Sequence, residues 1–275
     1  KGEIELTIAD ASGRLVRKLE SVIKPPKYGK DDPDEPSGEQ KLALTKEPGF
    51  NRVVWDLNME GAKRLASKFE GGDPESGPLA PPGQYTLTLH GAGADVQAGV
   101  VIEPDPRSPV APADVERNVS WSLAVLAALD EVVDNVADVT AIRQQVSDLH
   151  ARIGDAPALD ELRASADRVL AACDSIEGTL HNPAAQVSYD ILAGRDGGSK
   201  LYSQLAGLYG ANSSSDYPPA QGLTERFDEL TVELRRRQGE LATLQSGDLA
   251  LLEKQVAQAS LPRVILPRPA AEGSR

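Results

Sequence analysis

The feature that most constrains this chain is a change of hydrophobic period across "EPDPRSPVAPAD", residues 103–114. Beyond it, apolar residues recur at Val115, Val119, Leu123, Leu126, Leu129, Val133, Val136, Val139, Ile142, Val146, Leu149 and Ile153. Steps of three and four averaging about 3.5 define a helix that buries one stripe in a bundle or coiled coil. A helix of about 40 residues is roughly 60 Å long at its usual rise. Gly154 and Pro157 end it, and Ser108 or Asp114 stands where a cap belongs.

The same spacing continues through Leu159, Leu162, Ala166, Val169, Cys173, Ile176 and Leu180, stopping before Asn182-Pro183. Residues 186–197 read as loop with one short apolar piece, 200–209 as a short helix, and "GANSSSDYPPAQG" as a second loop. A last long helix carries Leu223, Phe227, Leu230, Leu234, Leu241 and Leu244, is interrupted at Ser246-Gly247-Asp248, and ends near Gln258. Helices of unequal length joined by short turns predict an antiparallel bundle. The tail from residue 261 is expected to be extended or disordered.

Before the switch the period is two. Ile4, Leu6 and Ile8 alternate with polar residues, Asp10-Ala11-Ser12-Gly13 makes a turn, and 14–19 returns as a hairpin arm. Residues 24–40 are too polar and proline-rich for an element. Alternation resumes at 42–44, 52–57 and 85–90, with a last strand at 99–103. Short strands between glycine and proline signals predict a β-sandwich. The prolines of the switch segment fit neither a sheet nor a helix interior and mark a linker.

Charge and composition narrow the partners. The formal net charge is −13, and residues 111–275 hold 15 of the 29 basic and 24 of the 42 acidic side chains, so they carry −9 of it. Duplex nucleic acid and anionic membrane surfaces are poor partners for such a chain. One cysteine excludes an internal disulfide, and no apolar run approaches the roughly 18–20 residues that span a bilayer. Lys1-Gly2-Glu3 enters a strand pattern with no initiator Met and no signal-peptide n-region, which predicts a piece of something longer.

Residues able to carry chemistry are few. His90, His150 and His181 fall in different elements, none with a Cys, His or carboxylate at metal-ligand spacing, so solvated or capping roles are expected. Cys173 occupies a seam position among Val169, Leu170 and Ile176, a setting that raises a thiol pKa and makes it inert. The acidic run at Asp31, Asp32, Asp34 and Glu35 is broken by prolines and fails the calcium-loop pattern. Arg235-Arg236-Arg237 reads as a solvated helix face with (i, i+4) pairs. No phosphate loop, nucleophile elbow or paired carboxylates are legible. Alternation sets Trp55 on the face of Val53 and Leu57, opposite Arg52, Val54 and Asp56, which predicts a packing ring rather than an exposed sugar platform.

The segments "IELTIADASGRLVRKL", "GFNRVVWDLNMEGA" and "GPLAPPGQYTLTL" resemble the Ig-like domain of flagellar hook-capping proteins and its relatives in secreted bacterial proteins. The shared pattern is met by Asp10, Gly13 and Val16, by Gly49, Asn51, Trp55 and Asp56, and by Pro82, Gly83 and Tyr85. In that family the tryptophan is a core residue and the Gly-x-Tyr opens a strand after a tight turn. With "DPR", "ADV", a long helix and "LYSQLAGLYG…SSDYPPAQG" added, nearly the whole chain resembles the C-terminal region of bacterial sortilin-like proteins with BNR-repeat (sialidase-like) β-propellers. Many of those are labelled glycosyl hydrolases by similarity, and the propeller that would hold such chemistry is not among these residues.

The expectation is therefore an all-β plus all-α chain: an Ig-like β-sandwich at 1–104, a Pro-rich linker at 105–112, an antiparallel helical bundle at 113–260 and a tail at 261–275. Trp55, Asp56, Gly83, Tyr85 and Cys173 are expected to be structural, with no catalytic, cofactor or metal residue and no cofactor. The resemblance implies a non-catalytic accessory region at the C-terminal end of an exported bacterial β-propeller protein, serving domain packing and protein–protein contact. Its partners would be the propeller of the same or another chain, or an oligomer partner. The alternative is a substrate-binding accessory part of a secreted glycoside hydrolase, in which this part contacts glycan.

Overall fold

The structure is a computed structural model that describes residues 3–21, 44–65, 74–91, 93–154, 156–185, 190–191, 194 and 197–259. The loop expected at 24–40 with its acidic run, Leu42 and Ala43 of one expected strand, and the tail from 261 lie outside the described residues. The chain combines an antiparallel sheet with helices, a mixed α/β composition. It divides into two compact units, Lys1–Asp134 with Thr179–Arg235 and Asn135–Gly178 with Arg236–Arg275.

The first unit contains a four-stranded antiparallel sheet in the order β2-β1-β5-β6. Its strands are β1 (Glu5–Asp10), β2 (Leu15–Glu20), β5 (Gly83–His90) and β6 (Val96–Ile102). The β1–β2 turn is closed by Asp10, whose carboxylate accepts from the Ser12 amide at 2.9 Å, the Ser12 hydroxyl at 2.6 Å and the Arg14 amide at 3.1 Å. Gly13 supplies the positive φ of +84° that the reversal needs. One sheet face is polar, with Thr7 in register with Lys18 and Thr88, and Thr88 with Gln97. The other face carries Ile8, Leu87 and Tyr85, so one side is built for a core and the other for water.

A second, two-stranded sheet pairs β3 (Asn58–Glu60) with β4 (Ser76–Leu79). Their backbones approach so closely that a Cβ on Gly77 would stand 2.4 Å from the Glu60 carbonyl oxygen, which requires glycine there. The strand expected at 52–57 is corrected: residues 51–57 run without a ladder, and the paired strand begins at Asn58. The reason is local. Asp56 accepts from the Asn58 amide at 3.0 Å, and Leu57 adopts φ +65°, so the chain turns where alternation alone would continue it.

The core under the sheet joins Ile8, Val16 and Tyr85 to Met59 and Ala80, and then to Val119 of the first helix. Trp55, Leu87, Ile102, Val115 and Leu123 pack around them. That helix, α1 (Pro112–Ile153), starts where the prolines end. Its early seam completes the sheet's core, and its residues from Asn135 onward belong to the second unit. Val132 is fully buried where the regular series placed Val133.

Helices α2 (Asp160–Leu180), α3 (Leu201–Gly210), α4 (Gln221–Leu244) and α5 (Ala250–Gln258) follow. The expected interruption at Ser246-Gly247-Asp248 is a π-helical turn, Gln245–Leu249, so the backbone passes from α4 to α5 without leaving helical form. In the second unit Val139, Val146, Leu149 and Ile153 of α1 and Leu162, Ala166, Val169, Cys173 and Ile176 of α2 are all buried.

Candidate functional site

Trp55 is half-buried, donates its indole N–H to the Asn58 carbonyl at 2.9 Å, and meets Tyr85 edge-on with ring centroids 5.9 Å apart. The ring therefore packs, with its one polar atom satisfied by backbone. Leu57 was expected beside it on the inner side and is instead exposed, as the positive φ directs. Tyr85 is buried and donates its hydroxyl to the Pro81 carbonyl, and burial pushes the phenol pKa up, with the Asp10 carboxylate adding to the rise. Gly83 opens β5, and Asp56 caps the turn after the tryptophan. Asn51 closes the preceding turn by donating to the Glu47 carbonyl at 2.8 Å and accepting from the Glu47 amide at 3.1 Å. The other tryptophan, Trp121, is buried edge-on against Phe227 at 6.1 Å.

The histidines stay apart. His90 faces Asp95 through Nδ1 at 3.0 Å and the Thr7 hydroxyl through Nε2 at 3.1 Å. His150 meets Asp167 at 3.0 Å. Both fit solvated roles, whereas His181 is buried directly after α2, a placement that its position at a helix end did not reveal. Among the described residues no group of three His, Cys, Asp or Glu side chains is arranged to hold a metal ion.

Cys173 is fully buried on the α2 seam, and desolvation pushes its thiol pKa up, with Asp174 adding to the rise. Beside it, Glu177 is buried and takes a two-pronged contact from the Arg143 guanidinium, with the Thr140 hydroxyl at 3.4 Å. Both groups of that pair lie on helices of the second unit, and the arrangement neutralises a buried carboxylate rather than exposing it to a substrate. On α4, Arg236 meets Glu240 at 3.2 Å as an exposed (i, i+4) pair, whereas Arg237 reaches the same carboxylate from (i, i+3) at 3.0 Å with a side chain only 16% exposed, so the basic triplet is not a uniformly solvated face.

An open depression of about 330 Å³ lies at the end of the sheet, lined by Glu3, Glu5, Glu20, Ser21 and His90. Lys18 spans Glu5 at 2.7 Å and Glu20 at 3.0 Å, so two of its carboxylates are already paired.

What the sequence reading passed over is apolar surface on the first unit. Phe50 is 94% exposed, next to Gly49 at φ +107°. Val54, Leu57 and Leu79 are exposed as well, and β6 exposes Val96, Val100 and Val101. The signal available was weak: an aromatic between glycine and asparagine belongs to a turn, and nothing in a strand's own sequence says that it forms a sheet edge.

No helix among the described residues is long and apolar enough to cross a membrane. Compared with known proteins, the chain matches no family model, no curated protein and no solved structure.

Proposed function

We propose that the chain is a non-catalytic interaction region at the C-terminal end of an exported bacterial protein with a BNR-repeat, sortilin-like β-propeller. In this reading it consists of an Ig-like sandwich followed by an antiparallel helical bundle. The observation that carries the reading is the apolar surface of the first unit. Phe50, Val54, Leu57, Leu79 and three valines of β6 stand in water in a chain of net charge −13, and this exposed apolar surface is what a partner would cover. The buried ion pair and buried thiol of the second unit serve packing within that unit. The partner is the propeller, and the acidic charge turns nucleic acid and anionic membranes away.

The test is sedimentation velocity of the full chain with the separately prepared propeller of its parent protein, alongside a glycan array. Association with the propeller, weakened at least about tenfold by Phe50→Ser with Val54→Ser and with no glycan retained, is the expected result; tenfold corresponds to about 1.4 kcal/mol. Absence of association overturns the reading. Retention of glycan through the exposed aromatics Phe50 and Tyr217 would favour the accessory part of a glycoside hydrolase instead.

A further inference from the structure

Among the described residues β6 is an edge strand whose only ladder is with β5. Along its outer side the backbone donors and acceptors have no partner among the described residues. It is seven residues long, VQAGVVI, with no charge and no proline, and thus lacks the devices by which sheet edges are usually closed to other strands. Its first six residues are exposed, with Val96 at 60% and Val101 at 62%.

The register shows what an added strand would find. Leu19, Leu6, Leu89 and Val96 stand in one row across the sheet, buried at Leu19 and open at Val96. The next rows run Ile8, Leu87, Ala98 and then Tyr85, Val100. A strand laid along β6 would extend these rows if every second residue were apolar. The ends of β6 are acidic, with Asp95, which also faces His90 Nδ1 at 3.0 Å, just before it and Glu103 just after it, both exposed. A second copy paired antiparallel about Gly99 would set Asp95 against Glu103 at both ends, like charge on like charge.

We infer that β6 is a docking edge for an extended segment of another protein, one that alternates apolar residues and carries Lys or Arg at its ends. Backbone hydrogen bonds supply the affinity, the apolar rows set the register, and the two carboxylates select the charge of the incoming strand. The inference deepens the proposed interaction function and rests on it.

The test uses the full chain and two capped seven-residue peptides of alternating valine and threonine, one with arginine and one with glutamate at both ends. Fluorescence anisotropy at low salt is expected to show the arginine-ended peptide binding at least fivefold more tightly, with the preference shrinking at high salt. Ala98→Pro and Gly99→Pro form the second arm. Adjacent residues of an edge strand point their N–H groups to opposite sides, so one variant breaks the β5 ladder and the other removes an outward donor. The variant that keeps its melting temperature is expected to lose peptide binding at least tenfold. Equal binding of both peptides, or binding that survives the fold-retaining proline, overturns the inference. So does a concentration-dependent dimer that this proline abolishes, which would make a second copy the occupant. No peptide binding while the propeller still associates overturns the edge alone and leaves the proposed function standing.

Discussion

The sheet body of the first unit and the helices of the second bury similar side chains by different rules. In the second, Val139, Val146, Leu149 and Ile153 of α1 and Leu162, Ala166, Val169, Cys173 and Ile176 of α2 are inside because each lies three, four or seven residues from the last on its helix. In the sheet body of the first, the inside is assembled from β1, β2, the 55–59 segment, Ala80, β5 and the start of α1, drawn from positions as far apart as Ile8 and Val119. A helix determines its inner face locally. A sheet body determines it through register, turns and the element laid over it, so one left-handed residue such as Leu57 moves a side chain from core to water.

The largest effect should fall where the assembled core is densest. Tyr85→Ala is expected to cost about 3–5 kcal/mol, the range for emptying a buried aromatic site, read from denaturant unfolding. A loss below about 1 kcal/mol would mean that the sheet's core lies elsewhere. Trp55→Ala should cost somewhat less, about 2–3 kcal/mol, because the ring is only half-buried. Trp55→Phe keeps the contact with Tyr85, loses the N–H donated to Asn58, and should cost about 1 kcal/mol. Equal losses for the two substitutions would remove the packing role and leave only the hydrogen bond.

In the second unit the informative residue is polar. Arg143→Ala deprives a buried carboxylate of its guanidinium, and about 2 kcal/mol is expected, reduced from the buried-pair range because a third of the Arg143 side chain reaches water. Arg143→Met combined with Glu177→Leu should recover most of that loss. If the double variant is worse than the single, the pair stabilises the helices directly. The smallest effect concerns Cys173. It should resist a small alkylating reagent in the native state and react on unfolding. Its raised thiol pKa makes a stabilising contribution that is present below the unfolded thiol value and is lost as pH rises through the folded one. The alkaline loss of stability should therefore be shallower in Cys173→Ala, and identical pH profiles would contradict it.

Legibility in the sequence follows the same division. The period gave α1, α2 and α4 to within a residue or two, including the stops at Gly154 and before Asn182, because caps and breakers act within one turn. The β1–β2 hairpin was equally plain, since Asp10 and Gly13 encode its turn locally. The strand placed at 52–57 was not, because Asp56 and Leu57 reverse a run whose alternation still looks extended. Alternation with its neighbours set Trp55 on an inner face and the place of Tyr85 came from the resemblance, whereas the exposure of Phe50 and the edge position of β6 depend on which strands pair, and pairing is nonlocal.

The claim that the early α1 seam belongs to the sheet's core, while its later seam belongs to another unit, has one direct test: native-state hydrogen exchange resolved by residue. Amides of β1 and β5 and of α1 residues 119–129 should open with the same free energy, and Tyr85→Ala should lower all of them together. Amides of α1 residues 139–153 should follow a separate opening and change far less. If residues 119–129 keep their protection in Tyr85→Ala while the strands lose theirs, the helix is independent of the sheet and the claim is contradicted.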